Sequence, residues 1–227
     1  MPVRSQRLRW MFALLAAAAP QPIKHTIYRR VFGWDIHPAA RFGLSLIAVD
    51  HLSAAEGVIV SHLTVIKGCD EVRLGVRAIV GPLNWISSPP RSAGLFPYAP
   101  GRRPRLVLGD EAAITTRHIL YCDDEVVIEP YAVLAGLRSQ ILTHSPDYMT
   151  GRQRTAPVRI GHHSFVSTNC TLLAGSSVPP RCIVAGGATV AGPLGEELTL
   201  YGGTPARKLK ELPEDAVLFH RERGYLD

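Results

Sequence analysis

The stretch LRSQILTHSPDYMTGRQRTAPVRIGHHSF, residues 137–165, has an irregular middle that carries one histidine, His144, where an otherwise ordered sequence loses its regularity. A neutral imidazole takes and returns a proton near pH 7, which is typically worth about 10²–10⁴-fold in rate when the ring is well placed. Two acidic residues upstream, Asp123 and Asp124, could orient such a ring or form a solvated corner; the corner is the preferred reading. His118 lies nearby in sequence and either lines the same cleft or packs. The four cysteines, Cys69, Cys122, Cys170 and Cys182, form no CxxC pair, which argues against a structural zinc site and for small core residues in a reducing compartment.

The element that must hold His144 is a repeat. Residues 160–195 read IGHHSF VSTNCT LLAGSS VPPRCI VAGGAT VAGPLG, each block opening on Ile, Val or Leu. The fifth place holds Ser164, Cys170, Ser176, Cys182, Ala188 and Leu194, all but the last small. A period of six fits neither a helix nor ordinary hairpins; it fits a flattened coil in which each short strand points one side chain inward. Upstream openings fall at Ala54, Val60 and Ile66; Leu74, Val80 and Ile86; Leu108, Ile114 and Leu120; and Ile128, Leu134 and Gln140. Three strands per turn make a triangular prism of six turns, with a less regular seventh near Ile36. The usual crossover rule would make it right-handed.

A formal charge of +6 favours anionic partners, but the arginines are scattered and no zinc-finger or RNA-platform pattern occurs, so nucleic acid is not expected. At the N-terminus, Arg4, Arg7 and Arg9 precede an apolar run from Trp10 to Ala19 that is too short to span a bilayer. It reads as a secretory leader or as the first of two consecutive helices. The second helix holds Pro22 in its first turn, with Ile23, Ile27 and Val31 at helical spacing. Such helices would cap the prism or make a peripheral membrane contact. The expected organisation is an N-terminal helical segment (1–35), a prism (36–205) interrupted by insertions at 87–105 and 145–158, and a tail (206–227) with a helix from Pro213 to Arg223.

The blocks IGHHSF and VAGGAT and the closing YGGTPARKLKEL resemble hexapeptide-repeat acyltransferases of the left-handed parallel β-helix class, over roughly residues 54–212. The nearest likeness is to the xenobiotic and sugar O-acetyltransferase branch. The resemblance implies a left hand, a homotrimer, and acetyl-CoA in the cleft between adjacent prisms. It implies a cytoplasmic enzyme, free or at the inner face of the membrane, that acylates a sugar or saccharide hydroxyl. In this branch a catalytic histidine precedes an exposed loop and a P-[IV]-x-IG return; LTH followed by APVRIG matches, so His144 becomes the expected general base.

On the cofactor side the resemblance assigns Phe165 to the mouth of the pantetheine channel and Thr168 to a backbone contact. Ala185 and Gly186 meet a cofactor amide, and Arg207 and Lys210 meet the phosphates. The chain departs from the family where VAGPLGEE replaces a turn that often carries lysine. On the acceptor side it departs again, with Thr115 where the family often has asparagine, followed by Arg117 and His118. Two other readings compete. One is a non-catalytic scaffold. The other is a zinc carbonic anhydrase of the same prism, whose histidine spacing His118, His144, His162 and His163 do not match; no metal is expected.

Overall fold

The computed structural model describes residues 6–224. Three parallel sheets form the walls of a prism. The first face runs through Asp35–Ile36, His51–Ala54, Glu71–Leu74, Arg105–Leu108, Val126–Ile128, Val158–Ile160 and Ser177–Val178. The second runs through Arg41–Phe42, Ile59–Val60, Ile79–Val80, Ala113–Thr116, Val133–Leu137, Phe165–Val166, Ile183–Val184 and Thr199–Gly202, and ends on an antiparallel strand, Arg207–Glu211. The third comprises Leu46–Ala48, Val65–Lys67, Trp85–Ser87, Ile119–Tyr121, Gln140–Leu142, Thr171–Leu172 and Thr189–Val190. Seven turns result, the irregular first one being Ile36, Phe42 and Ile47.

The block openings are the core. Ile66, Ile86, Leu120 and Leu172 stack on the inside of the third face, and Val80, Ile114, Leu134, Val166 and Val184 on the second, all fully buried. Each such side chain contributes roughly 1.5–3 kcal/mol by leaving water. Cys170 and Cys182 fill the small inward corner positions and are buried, as are Cys69 and Cys122. Two edges of the prism turn by placing one residue per coil in the left-handed region: Arg77, Glu111, Tyr131, His163 and Arg181 on the first edge, Leu63, Leu83, Arg117, Arg138 and Asn169 on the second. The third edge, where the third face returns to the first, releases both insertions.

The register corrects one opening. Ile141, not Gln140, points inward, paired with Leu120 and Leu172. The step of seven from Leu134 is absorbed where the register shifts to Thr116↔Leu137. Gly136 takes a φ of +68° there, and a Cβ on it would lie 2.6 Å from that of Thr168. An L side chain is excluded on both counts.

Both N-terminal helices form: α1 (Gln6–Ala18) buries Ala13 and Ala16, and Arg9 reaches the carbonyl of Val49. α2 (Gln21–Thr26) continues into a wider turn, Ile27–Val31, and covers the open end of the first coil. Lys24, buried, donates to the carbonyls of Phe42 and Gly43, which no earlier coil pairs. Among the described residues no helix is long and apolar enough to cross a membrane. The expected C-terminal helix does not form. Pro213 and the preceding antiparallel strand end regular pairing, and only a 3₁₀ turn, Val217–Phe219, follows, seating Phe219. Residues 1–5 and 225–227 of the expected terminal segments lie outside the described residues.

Candidate active site

His144 stands on the third edge, where the strand Gln140–Leu142 has ended. The second insertion is a β-hairpin, His144–Asp147 paired with Arg152–Thr155, so His144 is its first residue. That pairing turns the ring away from the core and leaves its side chain 32% exposed.

Because Tyr121 pairs with Leu142, two further steps along each strand bring Asp123 beside His144. The Asp123 side chain is only 2% exposed, and its Oδ2 lies 2.6 Å from His144 Nδ1. The two atoms are in close ion-pair contact, although the N–H is not aligned for a regular hydrogen bond. Asp123 is therefore not the solvated corner the sequence suggests. Contact with its carboxylate holds the imidazole above its ordinary pKa, burial pulling the other way. With Nδ1 engaged, Nε2 is the nitrogen left to face a ligand.

The acidic run is a framework. Asp123 Oδ1 accepts from Ser88 Oγ (3.2 Å), which also accepts from buried Arg102 (3.1 Å). Asp124 joins both insertions to the prism, accepting from the backbone N–H of Arg103 (3.2 Å) and from Thr155 Oγ1 (2.9 Å). The first insertion, residues 88–104, folds back on its own chain. Arg102 lies over the Phe96 ring at 4.8 Å, and Phe96 stands edge-on to His144 at 6.0 Å. Tyr121 also stands edge-on to the imidazole, at 5.9 Å.

The acceptor-side candidates lie elsewhere. His118 is fully buried on the second edge, its Nδ1 accepting from Ser139 N–H (3.1 Å) and its Nε2 2.9 Å from Thr115 Oγ1. Burial pushes its pKa down to about 4. It is a neutral packing residue, and the expectation that it binds substrate is overturned: no ligand reaches a side chain with no exposed surface. Thr115 spends its hydroxyl on His118 and on the carbonyls of Leu134 and Gly136. Arg117 is exposed on that same edge, not beside His144.

The cofactor candidates gather on the second face and its edge toward the third. Phe165 is half-buried against Ala113, Val133 and Ala135. Upstream of it runs an apolar cavity of about 510 Å³. Thr168 and Gly186 meet at the corner, the Thr168 carbonyl accepting from Gly187 N–H (3.0 Å), with Ala185 next in line. Arg207 and Lys210 are exposed on the terminal antiparallel strand. These six therefore fall together, but on a different edge from His144. Among the described residues no three His, Cys, Asp or Glu side chains converge as metal ligands would.

What sequence reasoning missed is the partner of His144. Asp123 and His144 are twenty-one residues apart, the same offset that separates the paired inward residues Leu120 and Ile141. Recognising the one-residue bulge at Gly136 would have aligned them.

No protein-family model and no curated protein sequence matches the chain. Solved structures do. A hexapeptide-repeat acetyltransferase from Vibrio cholerae O1 biovar eltor, complexed with acetyl-coenzyme A, is 17% identical over 92% of this chain and 87% of that one, with a TM-score of 0.49. A maltose O-acetyltransferase from Clostridium difficile 630 is 13% identical over 92% and 87%, at 0.42. A mutant N-acyltransferase from Bacillus cereus, in complex with dTDP and coenzyme A, is 10% identical over 88% and 92%, at 0.50. The chain thus has the left-handed parallel β-helix fold found in hexapeptide-repeat acyltransferases, and its hand is not that of the usual crossover.

Proposed function

We propose that this chain is an acetyl-CoA-dependent O-acyltransferase that modifies a sugar or saccharide hydroxyl, with His144 as general base. The observation that carries the reading is the Asp123–His144 pair: a buried carboxylate against a half-exposed imidazole, under a folded arm, at the mouth of a hairpin. A hydroxyl, with a pKa far above 7, attacks a thioester slowly while it keeps its proton. In the proposed step Nε2 removes that proton as the hydroxyl oxygen bonds to the thioester carbon. The tetrahedral oxyanion is met by a backbone N–H at the prism corner. Collapse breaks the carbon–sulfur bond, and the imidazolium returns the proton to the leaving thiolate, giving an ester and free coenzyme A.

The donor side of the reading rests on the second face. The apolar cavity above Phe165 fits a pantetheine arm, while Thr168, Ala185 and Gly186 offer a corner with little side chain in the way. Arg207 and Lys210 supply cations for the phosphates; Lys208 between them is already paired with Glu196 and Glu211. That these groups lie on a different edge from His144 supports a homotrimer, in which one prism's His144 meets its neighbour's cofactor edge. The exposed Leu8, Met11, Leu14 and Leu15 of α1, in a chain of net charge +6, support a peripheral contact with the inner face of the membrane of a cytoplasmic protein.

The test is coenzyme A release from acetyl-CoA across a panel of sugars, with His144→Ala as blank, alongside thermal stabilisation by acetyl-CoA and by zinc. Sugar-dependent release and stabilisation by acetyl-CoA alone are expected. Stabilisation by neither points to the scaffold, and by zinc alone to the metalloenzyme.

A further inference from the structure

The third face carries a cavity that the acyl-transfer step does not use. It has a volume of about 690 Å³ and runs between α1 and the base of the 88–104 arm. Its floor is one outward row, Ala48, Lys67, Ser87 and Tyr121, paired rung to rung. With strands about 4.8 Å apart, that row spans about 14 Å, longer than one pyranose ring. Tyr121 closes one end and is the ring that flanks His144.

Three large aromatic residues converge there, Trp10 from α1, Trp85 and Tyr121, each between 36% and 41% exposed. Single exposed aromatics are ordinary; three around one cavity are not. Flat rings of this kind cover the C–H face of a pyranose while its hydroxyls bond to polar groups around them, and Trp85 is fixed in place by donating its Nε1–H to Ser87 Oγ in the floor at 3.0 Å. The charges divide unevenly. Arg9 is paired with Asp50 (2.8 Å) and Arg91 with Asp70 (2.9 Å). Lys67 lies 4.7 Å over the Trp85 ring and, among the described residues, has no carboxylate partner. One cation is therefore left beside the stacking surface.

We propose that this cavity is a binding subsite for an anionic saccharide, a sugar bearing a carboxylate or a phosphate, that leads the acceptor toward His144. Lys67 receives the anion, and Trp85 with Trp10 holds the ring faces. This deepens the acyltransferase reading and rests on it for the acceptor's destination, but the binding itself is independent of acyl transfer.

Tryptophan fluorescence titrations of the full chain with tetragalacturonate, glucose 1-phosphate and neutral maltotetraose test it. At least one anionic ligand is expected to bind about tenfold or more tighter than maltotetraose, and which one does identifies the anion. Lys67→Gln should reduce that preference to within about twofold, and Trp85→Leu should weaken every saccharide about tenfold or more. Trp85 is exposed and Lys67 half-buried, and circular dichroism of each variant checks that it folds. Equal binding of all three ligands, binding of none, or a preference that survives Lys67→Gln overturns the subsite. If anionic binding is found but coenzyme A release does not depend on His144, the subsite stands and the catalytic reading falls. His144-dependent release without anionic preference gives the reverse.

Discussion

His118 and His144 occupy adjacent coils, each just past a turn of the prism, and the coil has made opposite things of them. His118 sits on the second edge, after Arg117 in the left-handed region, where the chain closes tightly. It is fully buried, neutral and held by Thr115 and Ser139. His144 sits on the third edge, where the chain leaves the prism as a hairpin, and it keeps a carboxylate against one nitrogen while its side chain stays partly exposed. Solvent access and one acidic neighbour separate the structural imidazole from the one proposed as general base.

The sharpest way to break that comparison is to remove each ring. His144→Ala should cut coenzyme A release about 10²–10⁴-fold while leaving the melting temperature, measured above the folded imidazole pKa, near that of the wild type. His118→Ala should do the reverse. It leaves Thr115 and the Ser139 N–H without their partner and opens a void, lowering the unfolding free energy by about 2–4 kcal/mol in denaturant titrations. Acyl transfer by the folded fraction should be retained.

Acid sharpens the contrast. His118 has a folded pKa of about 4 against an unfolded value near 6.5. The unfolded chain therefore takes up a proton first as pH falls. Stability present above pH 6.5 is lost down to pH 4, by roughly 3 kcal/mol from this one group, and His118→Gln should flatten that part of the profile. For His144, whose folded pKa is raised, the sign is opposite: its pairing with Asp123 stabilises the fold below pH 6.5 and fades as pH climbs through the folded value. Asp123→Asn should lower the pH midpoint of activity and reduce kcat by about tenfold or more, because the ring loses its orientation as well as its basicity. The smallest effect belongs to the far edge. Arg207→Ala and Lys210→Ala should each raise KM for acetyl-CoA about 2–5-fold with kcat unchanged, an effect that shrinks with added salt.

The prism was legible because its core is periodic: Ile, Val and Leu at every sixth place leave few other ways to bury them. Pro22 does stand in the first turn of α2, but the spacing of Ile23, Ile27 and Val31 marked the wrong face, since Ile23 is exposed and Lys24 and Tyr28 are the buried residues. The tail was not legible. A pairing partner for Arg207–Glu211 exists only once Thr199–Gly202 is in place, so the strand is set by tertiary context. The pairing of Asp123 with His144 was hidden by one extra residue at Gly136, which shifted the frame and made Asp123 look like surface. The closure of the 88–104 arm over its own His144 depends on buried Arg102, which nothing in a run of prolines and arginines distinguishes from its exposed neighbours.

The most direct test is the pH dependence of kcat/KM for acetyl transfer, measured side by side for the wild type and His144→Ala. The account predicts a rise through a single ionisation with a midpoint above the ordinary imidazole value of about 6.5, and no such rise in the residual activity of His144→Ala. The same ionisation persisting in His144→Ala would contradict it.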